Sequence, residues 1–225
     1  VFQDLLQLFF PKKCVACEES LVDKEIICTS CLHQLPLANT HLNNENTLKK
    51  VFNHEVDIEK ASCLLYYYKK GITQRLFHNL KYRGHEEISS YLAEWFSPYL
   101  KENTFMEDID VIVPVPLHRS RLKERGYNQV EGFGKTLANN FNKIYVEDVL
   151  IKKEATKTQV FKNRLARQKI KPNYFSLEQE SKIENKHVLL CDDIITTGAT
   201  MKNCIKVLQE APNVKISIAS MAYAI

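Results

Sequence analysis

Residues 187 to 201, His-Val-Leu-Leu-Cys-Asp-Asp-Ile-Ile-Thr-Thr-Gly-Ala-Thr-Met, constrain this chain more than any other stretch. Val188-Leu189-Leu190-Cys191 is an apolar run that reads as a strand buried on both faces. Asp192 and Asp193 follow at once, then a hydroxyl-rich loop, Thr196, Thr197, Gly198, Ala199 and Thr200. Met201, Cys204, Ile205 and Leu208 are spaced as on one face of a helix. A loop entering a helix leaves backbone N–H groups unpaired at the positive end of the helix dipole. Those amides suit a phosphate, and threonine hydroxyls add donors. Gly198 permits a close approach or a positive φ. The carboxylates would accept hydrogen bonds from vicinal hydroxyls and could help hold Mg²⁺. Singly, each residue fits a strand edge with two solvated acids and a capping threonine. Together they describe a site for a ribose 5-phosphate.

A second pattern lies near the start of the sequence. Cys14-x-x-Cys17 and Cys28-x-x-Cys31 are separated by ten residues. Two such knuckles supply four thiolates, the ligand set of a structural zinc ribbon with no position open for catalysis. Paired disulfides are the competing reading, disfavoured because no secretory signal is visible. Residues 1–10 are apolar but lack a basic start, and they read as a short amphipathic helix. His33 is close enough in sequence to replace a ligand, but four cysteines already complete the set.

Charge is unevenly spread. The net charge is +4, yet Lys152 to Lys171 holds eight cations and one acid, so that stretch carries +7 and the remainder −3. Arg119, Arg121, Lys123 and Arg125 form a second cluster, offset by Glu124. Both suit phosphate-bearing ligands, pyrophosphate or nucleic acid. No run of 18 apolar residues occurs, so no transmembrane span is expected.

Between these landmarks, strand and helix patterns alternate. Ala61–Tyr68 reads as a strand, and Gly71–Tyr82 and Ile88–Tyr99 as helices, with Ser97-Pro98 a point of shortening or kinking. Ile109–Pro116 reads as a strand entering a proline-rich loop that carries His118, a loop residue or an acid–base group. A helix follows with Val130, Phe133, Leu137 and Phe141 as its buried stripe, capped by Asn128 and Glu131. Val146–Ile151 reads as a strand and Val214–Ala222 as the closing one. Lys81 and Arg83 could reach a phosphate or favour a helix C-terminus. The implied fold is α/β, a mostly parallel sheet flanked by helices. Expected boundaries are residues 1–37 for the zinc-binding module, 38–60 for an Asn-rich connecting segment containing His41 and His54, and 61–225 for the main domain.

The 187–201 stretch resembles the phosphoribosyl pyrophosphate (PRPP) loop of type I phosphoribosyltransferases: four apolar residues, two acids, two more residues, then Thr-Thr-Gly-x-Thr. Further motifs narrow the resemblance to the ComF family. They are Phe9-Phe10-Pro11 before the CxxC pairs, Leu80-Lys81-Tyr82-Arg83-Gly84, Pro114-Val115-Pro116, Arg125-Gly126-Tyr127-Asn128-Gln129 and Thr158-Gln159 to Arg167. The match is weakest at Ile170–Phe175. The resemblance implies a type I phosphoribosyltransferase-like fold behind a small four-cysteine zinc ribbon, in a cytoplasmic protein of natural transformation. It places Asp192 and Asp193 on the ribose-binding acids, Thr196, Thr197, Gly198, Ala199 and Thr200 on the phosphate loop, and His118 to Arg121 near the pyrophosphate loop. Expected cofactors are structural zinc and Mg²⁺ with PRPP.

Three functions are expected in turn. One is a binding module for PRPP and single-stranded DNA in DNA uptake, with Tyr66, Tyr67, Tyr68, Tyr82 and Tyr127 available for stacking. The second is an active transferase moving ribose 5-phosphate from PRPP to a nucleobase or amine, with Arg119 or Arg121 stabilising the leaving group. The third is regulation, with PRPP as effector and the zinc module docking a DNA-translocation partner.

Overall fold

The computed structural model describes residues 12–21, 25–38, 47–52, 55–153 and 174–225. The expectations for residues 1–10, for His41 and His54, and for Thr158 to Arg167 with most of the basic stretch lie outside the described residues.

Five parallel strands form the main sheet: β1 (Ala61–Tyr67), β2 (Val111–Pro114), β3 (Ile144–Tyr145), β6 (His187–Ile195) and β7 (Lys215–Ala224). Their order is β1-β7-β6-β2-β3. The last strand therefore lies inside the sheet, between β1 and β6. β4 (Leu150–Lys152) and β5 (Phe175–Leu177) form a separate antiparallel pair. Val146–Ile151, expected as one strand, is divided. The ladder with β2 ends at Ile112↔Tyr145, and β4 begins only at Leu150, after the polar Glu147-Asp148. Asp148 turns outward to Lys182 Nζ and Gln179 Nε2, both at 2.6 Å.

Alternation along β6 explains its apolar composition. Val188 and Leu190 enter one core and Leu189 and Cys191 the other. The first core faces α7 (Ala199–Leu208) and the short α2 (Thr47–Lys50). The second faces the short α1 (Thr29–Gln34), α3 (Ile72–Tyr82), α4 (Glu87–Glu102) and α6 (Glu131–Asn140). Helix α4 runs through Pro98 to Glu102, past the expected break. Gly132 allows α6 to approach α4, because a Cβ there would strike the Ser89 hydroxyl.

The cysteine-bearing segment is built onto the second core. Cys14, Val15, Ala16, Ile27, Cys31 and Leu35 share it with Leu65, Leu76 and Leu80. Pro36–Ala38 covers the β1 edge: Leu37 pairs antiparallel with Leu65, and the Ala38 N–H donates to the Leu64 carbonyl at 2.9 Å. Asn79 Nδ2 donates to the Val15 carbonyl at 2.7 Å, and Arg83 pairs with Glu18 at 2.6 Å. Among the described residues, no helix is long and apolar enough to cross a membrane.

Candidate functional site

The chain reverses direction across the sheet between β2 and β6. β2 leads outward to β3, whereas β6 leads back to β7. A crevice forms at the carboxyl ends of strands at such a switch point. Asp192 and Asp193 stand there, within the last residues of β6 rather than after it, at 8% and 5% exposure. The strand continues because Ile194 and Ile195 keep register with Ala222 and Tyr223 of β7.

The two acids have different surroundings. Asp193 Oδ2 accepts from Lys81 Nζ at 2.9 Å and Gln129 Nε2 at 2.9 Å. Asp192 Oδ1 accepts from the Asp193 N–H at 2.8 Å. Burial pushes the Asp192 carboxyl up to about 8, with the neighbouring Asp193 charge adding to the effect and Lys81 and Lys152 opposing it. Burial also raises the Cys191 thiol, so this cysteine is an inert wall of the site.

Beyond the acids, Thr196, Thr197, Ala199 and Thr200 are exposed around the buried Gly198. Gly198 caps the ten-residue α7 at φ +73°. Strand, loop and helix follow one another in the expected order. The loop's underside is closed by residues following α2: a Cβ on Gly198 would stand 3.1 Å from Val51 and 3.2 Å from Phe52. Lys202, in the first turn of α7, is held by Glu55 at 2.7 Å.

The loop after β2 does not wholly match expectation. Residues read as an irregular loop form a helix, α5 (Arg119–Arg125). His118 is its N-cap: Nδ1 accepts the Ser120 N–H at 3.2 Å, which assigns His118 a structural task. Arg119 lines a 320 Å³ cavity with Pro116, Asn128, Glu131, Tyr145 and Lys152, at the end of β2; neither acid lines it. Arg121 is exposed on the same helix and does not line that cavity. The Asn128–Glu131 cap is replaced by Asn128 Oδ1 accepting the Val130 N–H at 3.3 Å.

Sequence reasoning offered Lys81 a phosphate or a helix C-terminus rather than Asp193, and missed Gln129 as a site residue. Both belong to motifs whose other members now have clear tasks. Arg125 donates to Gln129 Oε1 at 2.8 Å and lies 5.1 Å from the Tyr82 ring centre. Tyr127 donates its hydroxyl to the Leu80 carbonyl, and Asn128 Nδ2 donates to the Val115 carbonyl at 3.2 Å. The two motifs thus lock together over Asp193. Of the tyrosines available for stacking, Tyr68 and Tyr82 are exposed, while Tyr66, Tyr67 and Tyr127 are half-buried.

The four cysteines converge as their spacing implies. Their sulfurs all lie within 4.8 Å of one another, and Cys17 and Cys28 are 3.7 Å apart. Tetrahedral metal–thiolate bonds set sulfurs about 3.8 Å apart, so the cluster fits an ion of zinc's size. Backbone N–H groups of Ala16 and Cys28 point at Cys14 Sγ, at 3.5 and 3.3 Å, as suits a thiolate. All seven cysteines are free in the structure.

Residues 131–224 match the model of the phosphoribosyl transferase domain family. DNA utilization protein YhgH of Escherichia coli K12 is 26% identical over 198 residues, 87% of this chain and 83% of the relative. Competence protein F of Haemophilus influenzae is 24% identical, covering 96% of this chain and 99% of the relative. Competence protein ComFC of Streptococcus pneumoniae is 36% identical over 124 residues, 55% of this chain and 49% of the relative. The motifs in order along the sequence, the cysteine cluster and these relatives together make the chain similar to ComF-family proteins, with the phosphoribosyl transferase match following a four-cysteine cluster.

Proposed function

We propose that this protein binds PRPP in the crevice between β2 and β6 and acts in the handling of incoming single-stranded DNA. One observation carries the ligand reading. A buried acid pair and an exposed Thr-Thr-Gly-Ala-Thr loop stand together at the start of α7, the chemistry that a ribose and its 5′-phosphate require. Thr196, Thr197 and Thr200 would donate to the 5′-phosphate along with the amides of the helix start. The acids would orient the ribose hydroxyls, and Arg119 would face the pyrophosphate. Mg²⁺, when bound with PRPP, neutralises pyrophosphate charge. The cysteine cluster would hold zinc as a structural ion, tying the N-terminal module to α3.

The DNA reading is supported by relatives named for DNA utilization and competence, and by the exposed cations Arg119, Arg121 and Lys123 on α5. The Lys152–Lys171 stretch adds a concentration of positive charge that would follow a phosphate backbone.

The 320 Å³ cavity lined by Arg119 at the end of β2 favours a second reading, transfer to an acceptor. The C1–pyrophosphate bond would break, a nucleophilic nitrogen would bond to C1, and pyrophosphate would leave with the electron pair.

Pyrophosphate release from Mg²⁺-PRPP, with nucleobases and single-stranded DNA offered in turn and Asp192→Asn as control, separates the readings. Binding of PRPP without release supports a recognition site. Release above control establishes a transferase. Absence of PRPP binding overturns both.

A further inference from the structure

Asp192 and Asp193 are adjacent in the chain but unequal in what they can still accept. A carboxylate has about four lone-pair positions. Asp193 Oδ2 takes two donors, Lys81 Nζ and Gln129 Nε2, and Oδ1 takes the Ile194 N–H at 2.5 Å. One position is left. Asp192 is engaged among the described residues only through Oδ1, by the Asp193 N–H. A vicinal diol donates two hydrogen bonds to one carboxylate, so it needs two open positions. Asp192 offers them and Asp193 does not.

The partners of Asp193 are themselves fixed. Arg125 donates to Gln129 Oε1, which leaves the Gln129 amide nitrogen to face Asp193. Arg125 also stacks over Tyr82, the residue next to Lys81. The ring Lys81–Asp193–Gln129–Arg125–Tyr82 closes on itself through two elements far apart in sequence. Lys81 is 22% exposed and Asp193 8%, measured on their side chains, so this is a shielded ion pair.

We propose that Lys81 and Gln129 are positioning residues: they hold Asp193 as a fixed anchor, and Asp192 takes the ribose hydroxyls. This division rests on the phosphoribosyl reading above. On this view neither Lys81 nor Asp193 contacts the ligand; each acts through the other and through its charge on Asp192. Removing Lys81 alone leaves an unpaired anion beside an anionic ligand. Removing both charges relieves that defect.

The test is a double-mutant cycle, read as affinity for ribose 5-phosphate and for Mg²⁺-PRPP by titration calorimetry, with thermal unfolding to show that each variant is folded. Lys81→Met is expected to weaken both ligands by about tenfold, and Lys81→Arg to restore affinity to within about threefold of wild type. Lys81→Met combined with Asp193→Asn is expected to bind at least about threefold tighter than Lys81→Met alone. Asp192→Asn is expected to lose at least about tenfold. If Lys81→Met does not fold, Gln129→Met enters the same cycle in its place. A double variant whose loss is the product of the two single losses would show that Asp193 contacts ligand independently, and would overturn the division. Wild-type affinity in Asp192→Asn would do the same. If wild type binds neither ligand, the phosphoribosyl reading itself fails, and the division fails with it.

Discussion

Phe52 packs against Gly198, its Cε1 and Cζ atoms each 3.2 Å from where a Cβ on that glycine would stand. The segment before β1 therefore forms the floor of the phosphate loop. Glu55 adds to it by holding Lys202, and Gln209 at the far end of α7 donates to the Asp57 carbonyl at 3.0 Å. Gly198→Ala meets two penalties. A left-handed φ of +73° costs a non-glycine residue about 1–2 kcal/mol, and the new methyl group must displace Phe52 or Val51. Gly84 provides the control, with φ +74° and nothing within 4 Å of its Cβ position. In denaturant unfolding, Gly84→Ala is expected to show the backbone cost alone and Gly198→Ala a larger loss. Equal losses would mean that the Phe52 contact yields freely.

The cysteine cluster is expected to stabilise more than its own module. Asn79 to Val15 and Arg83 to Glu18 join it to α3, and Pro36–Ala38 covers the edge of β1. Thiolate–zinc sites contribute roughly 10–16 kcal/mol of apparent binding energy in small modules. Chelation, or Cys28→Ser, should remove one zinc per chain by metal analysis and increase amide exchange in β1 and α3. Loss of metal with unchanged exchange in both elements would show the module to be mechanically independent.

His187 predicts a weakness toward mild acid. The residue is 7% exposed, with Nε2 2.8 Å from Ser217 Oγ. Burial, aided by Lys60 and Lys215 and opposed by Glu59 and Asp108, depresses its proton affinity in the fold. The unfolded side chain takes a proton near pH 6.5. Below that pH the unfolded chain holds more protons than the native one, so stability falls as pH drops from about 6.5 toward the depressed native value. His187→Gln should flatten that part of the stability profile. An unchanged slope would assign the acid sensitivity to another group.

Local patterns in the sequence carried the strand, loop and helix of 187–208, helices α3 and α4, and the cysteine cluster. Each rests on spacing within a few residues. What spacing cannot show is a partner distant in sequence. Lys81 pairs with Asp193 across 112 residues, and in isolation it reads as a phosphate ligand or a cation at a helix C-terminus. Glu55 meets Lys202 across 147 residues, and its neighbours read as polar connection. Helix α5 was hidden because charged residues leave no apolar stripe, and none of its residues is buried. The motifs Leu80–Gly84 and Arg125–Gln129 were visible as motifs, but their mutual contact became legible only when both were placed beside Asp193.

Asp192 sets stability against binding. Its folded proton affinity is raised to about 8 by burial first and the Asp193 charge second, against about 3.9 when unfolded. Below pH 4 both states are protonated and the acid costs nothing. Between these values the native state holds the extra proton, so the stability contributed by this site falls as pH rises and is lowest above pH 8. Ligand binding runs the other way, because hydroxyl groups donate to the ionised form. Affinity for ribose 5-phosphate should therefore climb from pH 7 to pH 8.5, above the range in which the ligand's own phosphate titrates. Asp192→Asn removes the charge at every pH. It should be more stable than wild type at pH 8.5 by thermal unfolding, bind poorly, and show no rise in affinity over that range. A wild-type affinity that is flat from pH 7 to 8.5 would mean that Asp192 is already ionised in the free protein, and that the stability gain of the variant should vanish with it.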